Sequence, residues 1–386
     1  CLFEVTMFYK CSPDCSDPKH RHQVMAATTH KFSLKKNIEK NVSSKKKANV
    51  SGKKFKVVDA HCHYLNPEVN AKYAYLKPGM HDATAVFATE LSRMTNQSQI
   101  KERGLKFSNV TERLKDMNKM GVDVQVLSPA PIQYFYFTEP DVGANISRDI
   151  NESIAKVVAD NPDRFVGLGT VPLQNVDLAI KELEYAVKDL GLRGVEICTN
   201  VNGLNLTDPA LGLEKFFAKA TELGAVVFLH PMGFSQGERL VEHYFNNVIG
   251  NPFDTSLALA HLIFDGVLAR HPKLKILAAH GGGFLASYWA RMDHAWKARP
   301  DARTVIKKKP SYYLEKVFFD TITHDPQILG NLINRYGAKR FMLGTDYPFD
   351  MGEETPRQLI AGVTGLTQDD KELIEGLNAM KLFKIK

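Results

Sequence analysis

Long apolar runs are missing from the 386 residues. The longest, such as Ala225–Leu229 and Ile276–Ala279, fall far short of the ~20 residues a membrane-spanning helix needs. Cysteine is scarce and odd in number. Of Cys1, Cys11, Cys15, Cys62 and Cys198, three lie in the first 15 residues. That is no disulfide framework, and it points to a reducing, cytoplasmic setting. The body of the chain also lacks a charge excess. Residues 1–56 carry 13 basic and 4 acidic side chains, and the remaining 330 carry 37 and 39. The net charge of +7 therefore belongs to an appendage, and nothing in the body would draw it to nucleic acid. No Gly-Lys-Ser/Thr follows any glycine run, which excludes a P-loop.

The appendage, residues 1–52, has no apolar period and holds lysine clusters at Lys35–Lys36 and Lys45–Lys47 among Ser, Thr and Asn. Such a composition buries too little surface to offset chain entropy, so a disordered basic tail is expected. The chain opens with Cys1 rather than Met, as a fragment or a mis-assigned start would. Cys11, Cys15, His20 and His22 have the chemistry of zinc ligands, but flanking Pro and Asp and the absence of apolar support argue against a site there.

From residue 53 to 386 the pattern is regular. Apolar or β-branched runs recur at Val57–Ala60, Val122–Leu127, Phe165–Thr170, Gly194–Cys198, Ala225–Leu229, Lys275–Ala279, Val317–Asp320 and Arg340–Leu343. Helical periods separate most of them, for example over Val176–Leu190, Asn151–Ala159 and Leu211–Leu223. Eight strands alternating with helices predict an α/β fold, a (β/α)8 TIM barrel, with a doubly wound sheet as the second choice. Tyr64–Asn109 reads as an insertion over the barrel mouth.

Catalytic groups of such barrels come from the C-terminal ends of different strands. Here those ends carry His61 and His63, His230, His280, Asp320 and Asp346, with Ser128, Thr170 and Thr199–Asn200 on the others. In His61-Cys62-His63 the two-residue repeat of a strand puts both imidazoles on one side and Cys62 on the other. Two neutral ring nitrogens so placed suit one cation, and His230 and Asp346 at matching ends strengthen that reading. Gly233-Phe234-Ser235-Gln236-Gly237 matches a nucleophile elbow. The His280-Gly281-Gly282-Gly283 segment follows it, however, where a hydrolase oxyanion segment would precede. The triple glycine is either a structural tight turn or a place where backbone approaches a ligand. Tyr134–Phe137 either lines an apolar pocket or packs under the insertion.

Asp59-Ala60-His61-Cys62-His63, Leu229-His230-Pro231, Ala279-His280-Gly281-Gly282-Gly283 and Leu343-Gly344-Thr345-Asp346-Tyr347-Pro348-Phe349 occur in an order that resembles amidohydrolase-related proteins. The branch most similar is the aminocarboxymuconate-semialdehyde decarboxylase-like group. Phe165–Pro172 and His324-Asp325-Pro326 resemble it too. The resemblance spans roughly residues 56–386. It implies a (β/α)8 barrel with one divalent metal, zinc in most members, with manganese as the other candidate. It implies His61, His63, His230 and Asp346 as ligands and His280 as acid/base. It further implies Arg291 as a substrate-carboxylate ligand reaching in from the partner of a homodimer, and Arg103 is the nearest candidate for a second such arginine. Met232-Gly233 stand where the decarboxylase that names the group has Trp-Asp. At the end of the fourth strand, Glu196–Asn200 offers no lysine to bridge two metals, which favours a single one.

The function expected is a metal-dependent, non-oxidative decarboxylase, a carbon–carbon lyase, acting on a small unsaturated or aromatic carboxylic acid. A hydrolase or hydratase using the same metal-bound water is the alternative, since ligation is the same for both. A silent metal-stabilised scaffold would leave His280 and Arg291 without a purpose.

Overall fold

The computed structural model describes residues 55–386, and both the expected tail disorder and the Cys11/Cys15/His20/His22 grouping lie outside the described residues. Eight parallel strands follow the chain in order: β1 Val58–Tyr64, β2 Val124–Pro129, β3 Phe165–Gly167, β4 Gly194–Cys198, β5 Val226–His230, β6 Lys275–Ala278, β7 Phe318–Asp320 and β8 Phe341–Met342. β1 to β3 form one ladder and β4 to β8 another. Two seams join them into a closed barrel. Gly169 N–H donates to Gly194 O (2.9 Å) and Glu196 N–H to Gly169 O (2.8 Å). Ala60 N–H donates to Leu343 O and His63 N–H to Tyr347 O (both 2.8 Å). Closure leaves this sheet without an open edge.

The helices start and stop where local chemistry dictates. Asn175 accepts from Leu178 N–H at 3.1 Å and opens helix Val176–Lys188. Gly224, at φ +61°, closes helix Glu214–Leu223 in a left-handed conformation that costs glycine little. The helix expected at Asn151 begins earlier, at Pro140, whose fixed φ suits a first turn. Tyr64–Asn109 is an insertion as expected, with short helices Pro67–Lys72 and Ala83–Val86 and a long one, Glu90–Ser108, none of whose residues is buried.

Two apolar layers surround the strands. The inner one, which includes Val58, Val126, Phe228, Leu277 and Met342, also takes in Leu382 and Phe383 of the last helix, Asn378–Phe383. The outer one joins the strands to the surrounding helices.

β1 departs from its expected limits in a way that matters for the site. It runs through His61, Cys62 and His63 rather than ending at Ala60. Between Asp59 and Cys62 it advances three residues while β2 advances two, from Gln125 to Leu127. Strict alternation would place Cys62 inside with Ala60 and turn both histidines outward. The extra residue reverses the phase, so Ala60 belongs to the inner layer and Cys62 to the outer. Bulges commonly re-aim side chains next to active sites in this way.

Candidate metal centre

The bulge is held by a buried polar network. Asp59 accepts from His61 N–H (3.2 Å), Thr345 N–H (3.1 Å), Thr345 Oγ1 (2.6 Å) and Gln125 Nε2 (2.9 Å). Gln125 in turn accepts from the buried Arg113 (3.0 Å), which also donates to His63 O. Burial outweighs these bonds and pushes the Asp59 carboxyl up to about 6. Beyond β8 the chain is pinned to the same place, with Thr345 N–H and Asp346 N–H both donating to His61 O (3.1 and 2.8 Å). Asp346 adopts φ +55° there, and its carboxylate meets the histidine pair.

The ring nitrogens explain what the cluster is for. His61 Nδ1 lies 2.7 Å from Asp320 Oδ2, and His63 Nδ1 lies 3.0 Å from Pro129 O. Both partners are acceptors, so both Nδ1 atoms carry the proton and both Nε2 atoms present lone pairs. Those two Nε2 atoms face each other at 3.1 Å. Asp346 Oδ1 is 3.3 Å from one and 3.0 Å from the other. Neither ring nitrogen of the buried His230 has a hydrogen-bond partner, and nor has Asp346 Oδ1. Donor atoms of His61, His63, His230 and Asp346 all lie within 4.8 Å of one another. Lone pairs converging in a dry interior are costly unless a cation stands among them. The cluster is therefore one site for a single divalent metal, and its residues fit that ion.

The Nδ1–H forms of His61 and His63 are the tautomers of the neutral rings that ligate a cation; the carboxylates by themselves favour a charged ring at His61. Burial depresses the His61 imidazole, but Asp346 and Asp320 outweigh it and lift it to about 10. Burial and the neighbouring histidines push His230 well below its usual range. Burial would raise Asp346, but His61, His280 and His63 overcome it and hold the carboxyl well below the carboxylate range.

His280 follows β6 at φ +55°, with Nε2 3.5 Å from Asp346 Oδ2 and a buried Nδ1 that has no partner. A cavity of about 370 Å³ opens beside His230 and Asp346, walled by Phe107, Ile132, Met232, Tyr244, Phe349 and, from the insertion, Arg103. Arg103 also reaches Pro348 O and Phe349 O at 3.4 Å. Arg291 is exposed on helix Gly283–Ala298 and does not line this cavity.

Three other sequence features resolve differently. A Cβ on Gly283 would come within 2.2 Å of Pro252 O and one on Gly282 within 2.6 Å of Phe319, so these glycines serve packing rather than ligand approach. Ser235 lines a neighbouring cavity of about 420 Å³ with the Tyr134–Phe137 run, apart from His280. In that run Tyr134 is structural, donating to Glu196 Oε1 (2.7 Å) and His230 O (3.2 Å). Sequence reasoning gave no role to Asp320, Glu196 or Arg113. The period of β7 does place Asp320 at a strand end, but its partner His61 is 259 positions away.

The model of the amidohydrolase family matches residues 58–385. Over 328 residues the chain is 35% identical to 2-amino-3-carboxymuconate-6-semialdehyde decarboxylase of Dictyostelium discoideum, covering 84% of this chain and 90% of that protein. It is 28% identical over 299 residues to gamma-resorcylate decarboxylase of Rhodococcus jostii, covering 71% and 87% respectively. Among solved structures, 5-carboxyvanillate decarboxylase of Sphingomonas paucimobilis is similar with a TM-score of 0.76 at 25% identity, over 86% of this chain and 100% of that one. A dihydroxybenzoic acid decarboxylase of Polaromonas, holding manganese and 2-nitroresorcinol, shares the fold with a TM-score of 0.71 at 22% identity, over 86% and 97%.

Proposed function

The chain belongs to the amidohydrolase family, within its metal-dependent non-oxidative carboxy-lyases, and from that premise we propose that it removes CO2 from a small unsaturated or aromatic carboxylic acid. The observation that carries the reading is the pair of Nε2 lone pairs at 3.1 Å beside the unpartnered His230 and Asp346 Oδ1. His61, His63, His230 and Asp346 hold the ion. Zinc suits three imidazoles and a carboxylate, and manganese is the competitor. When bound, the metal supplies Lewis acidity toward a substrate oxygen.

The chain's own residues do the rest. Decarboxylation exchanges a carboxylate for a proton: a C–H bond forms, the C–C bond breaks, and its electron pair returns to the carbon skeleton as CO2 leaves. His280 carries that proton. Its Nε2 faces Asp346 Oδ2 at 3.5 Å, beside the residues that would hold the ion. Phe107, Ile132 and Phe349 offer apolar wall against which the substrate's carbon skeleton can pack. Arg103 grips an acidic group of the substrate, and Arg291 serves the neighbouring subunit of a homodimer. The buried free thiols Cys62 and Cys198 suit a cytoplasmic setting.

The test is CO2 release from a panel of hydroxybenzoates and unsaturated amino-dicarboxylates, with metal content measured on the same protein. Stoichiometric CO2 with one metal per chain is expected. Turnover of esters or amides without CO2 would replace the lyase with a hydrolase. A metal content near two would overturn the single site.

A further inference from the structure

Asp320, at the end of β7, is fully buried, and four donors converge on its carboxylate. Oδ2 accepts from His61 Nδ1 (2.7 Å) and from His280 N–H (2.8 Å). Oδ1 accepts from Gly281 N–H (2.8 Å) and Ile322 N–H (3.0 Å). The four bonds fill the lone-pair directions of the group.

The two sides of this carboxylate serve different parts of the centre. Its contact with His61 keeps the proton on Nδ1, so that Nε2 offers a lone pair to a cation. Its contacts with the amides of His280 and Gly281 hold a turn in which both residues take positive φ, +55° and +62°. That conformation disfavours a histidine unless its surroundings impose it. Successive amides in this shape form a small anion-binding nest, and Asp320 occupies it. The turn in turn sets where the His280 ring meets Asp346.

We propose that Asp320 is a positioning residue that fixes the ligating tautomer of His61 and the placement of His280 at once, so that metal affinity and proton transfer are coupled through one carboxylate. The second half rests on the acid/base role given to His280 above. The first half does not.

Asp320→Asn is the discriminating variant, because an amide of the same shape offers one acceptor and one donor to four donors. If its oxygen faces His61 and His280, its NH2 opposes the amides of Gly281 and Ile322. If it is flipped, its NH2 opposes His61 Nδ1 and favours the tautomer that cannot ligate. Chelator competition on the full chain should show metal affinity lowered about 10–100-fold. At saturating metal, kcat should fall at least about tenfold. In the His280→Ala background the same change should lower kcat by less than about threefold, since its effect on turnover passes through His280. Unchanged metal affinity would overturn the tautomer half, and fully multiplicative losses in kcat would overturn the coupling. Nitrogen-15 correlation spectra of the unmutated protein loaded with zinc test the tautomer even if the variant does not fold. The proposal expects a proton on His61 Nδ1, and a proton on Nε2 with a bare Nδ1 would refute it. Neither the spectra nor the chelator measurement needs a substrate, so failure of the decarboxylase reading would be seen separately.

Discussion

The His280 ring stands outside the four residues whose donor atoms converge. Its Nδ1 is buried without a partner and its Nε2 meets Asp346 Oδ2 from outside the cluster of converging donors. His280→Ala should therefore keep its metal while kcat falls by ~10²–10⁴, the usual worth of a positioned proton carrier. Metal analysis and kinetics on one preparation check both halves. A second residue-scale expectation concerns the thiols. Burial pushes Cys198 up to about 12 and Cys62 well above the usual thiol range. At pH 8 neither should react with a thiol reagent until the protein unfolds, which mass mapping of labelled peptides would show. At this scale the sequence was informative. The His-x-His spacing placed two imidazoles on one face and Cys62 on the other, and His230 and Asp346 were found at strand ends. What it could not show was a bond such as His61 to Asp320, because no local period encodes a contact across 259 positions.

The elements show where local reading stopped. Eight runs of apolar residues were enough to locate eight strands. The bulge in β1 was invisible, since it depends on Asp59 meeting Thr345 and Gln125, residues brought together only by closure. The insertion was recognised as an interruption. Its helix Glu90–Ser108 carries no strong apolar stripe because it borders a cavity instead of covering a core. Arg103 on that helix is part-exposed, so Arg103→Ala should cost little stability. Losing a charge-assisted bond to a substrate acid is worth ~1.5–3 kcal/mol. KM should accordingly rise about 10–100-fold, with kcat changed much less. Steady-state kinetics with thermal melting would show that split, and an equal loss in both constants would mean Arg103 acts at the transition state.

For the whole molecule, the metal centre ties β1, β5 and β8 together, and removing the ion leaves buried lone pairs opposed. Chelation should lower the melting temperature by on the order of 5–10 °C, as expected when a tightly held ligand present far above its Kd is withdrawn. Readdition of one equivalent should restore it. If Arg291 serves the neighbouring subunit, mixing impaired His280→Ala and Arg291→Ala chains should recover part of the activity, since mixed dimers hold one site with both residues intact. No recovery after confirmed subunit exchange would place Arg291 outside the chemistry.

The closure that makes the barrel also sets when it can form. The first strand bonds to Leu343 and Tyr347, and the inner layer is completed by Leu382 and Phe383. A ribosome delivers the first half of this interior long before the second exists. Val58, Val126 and Phe228 must wait with their apolar faces uncovered until the helix carrying Leu382 and Phe383 has emerged. Strands that cannot pair with their final neighbour during synthesis are open to wrong partners. A chain truncated before residue 379 should accordingly remain sensitive to protease and bound by chaperones, and one that includes Leu382 and Phe383 should reach the resistant form.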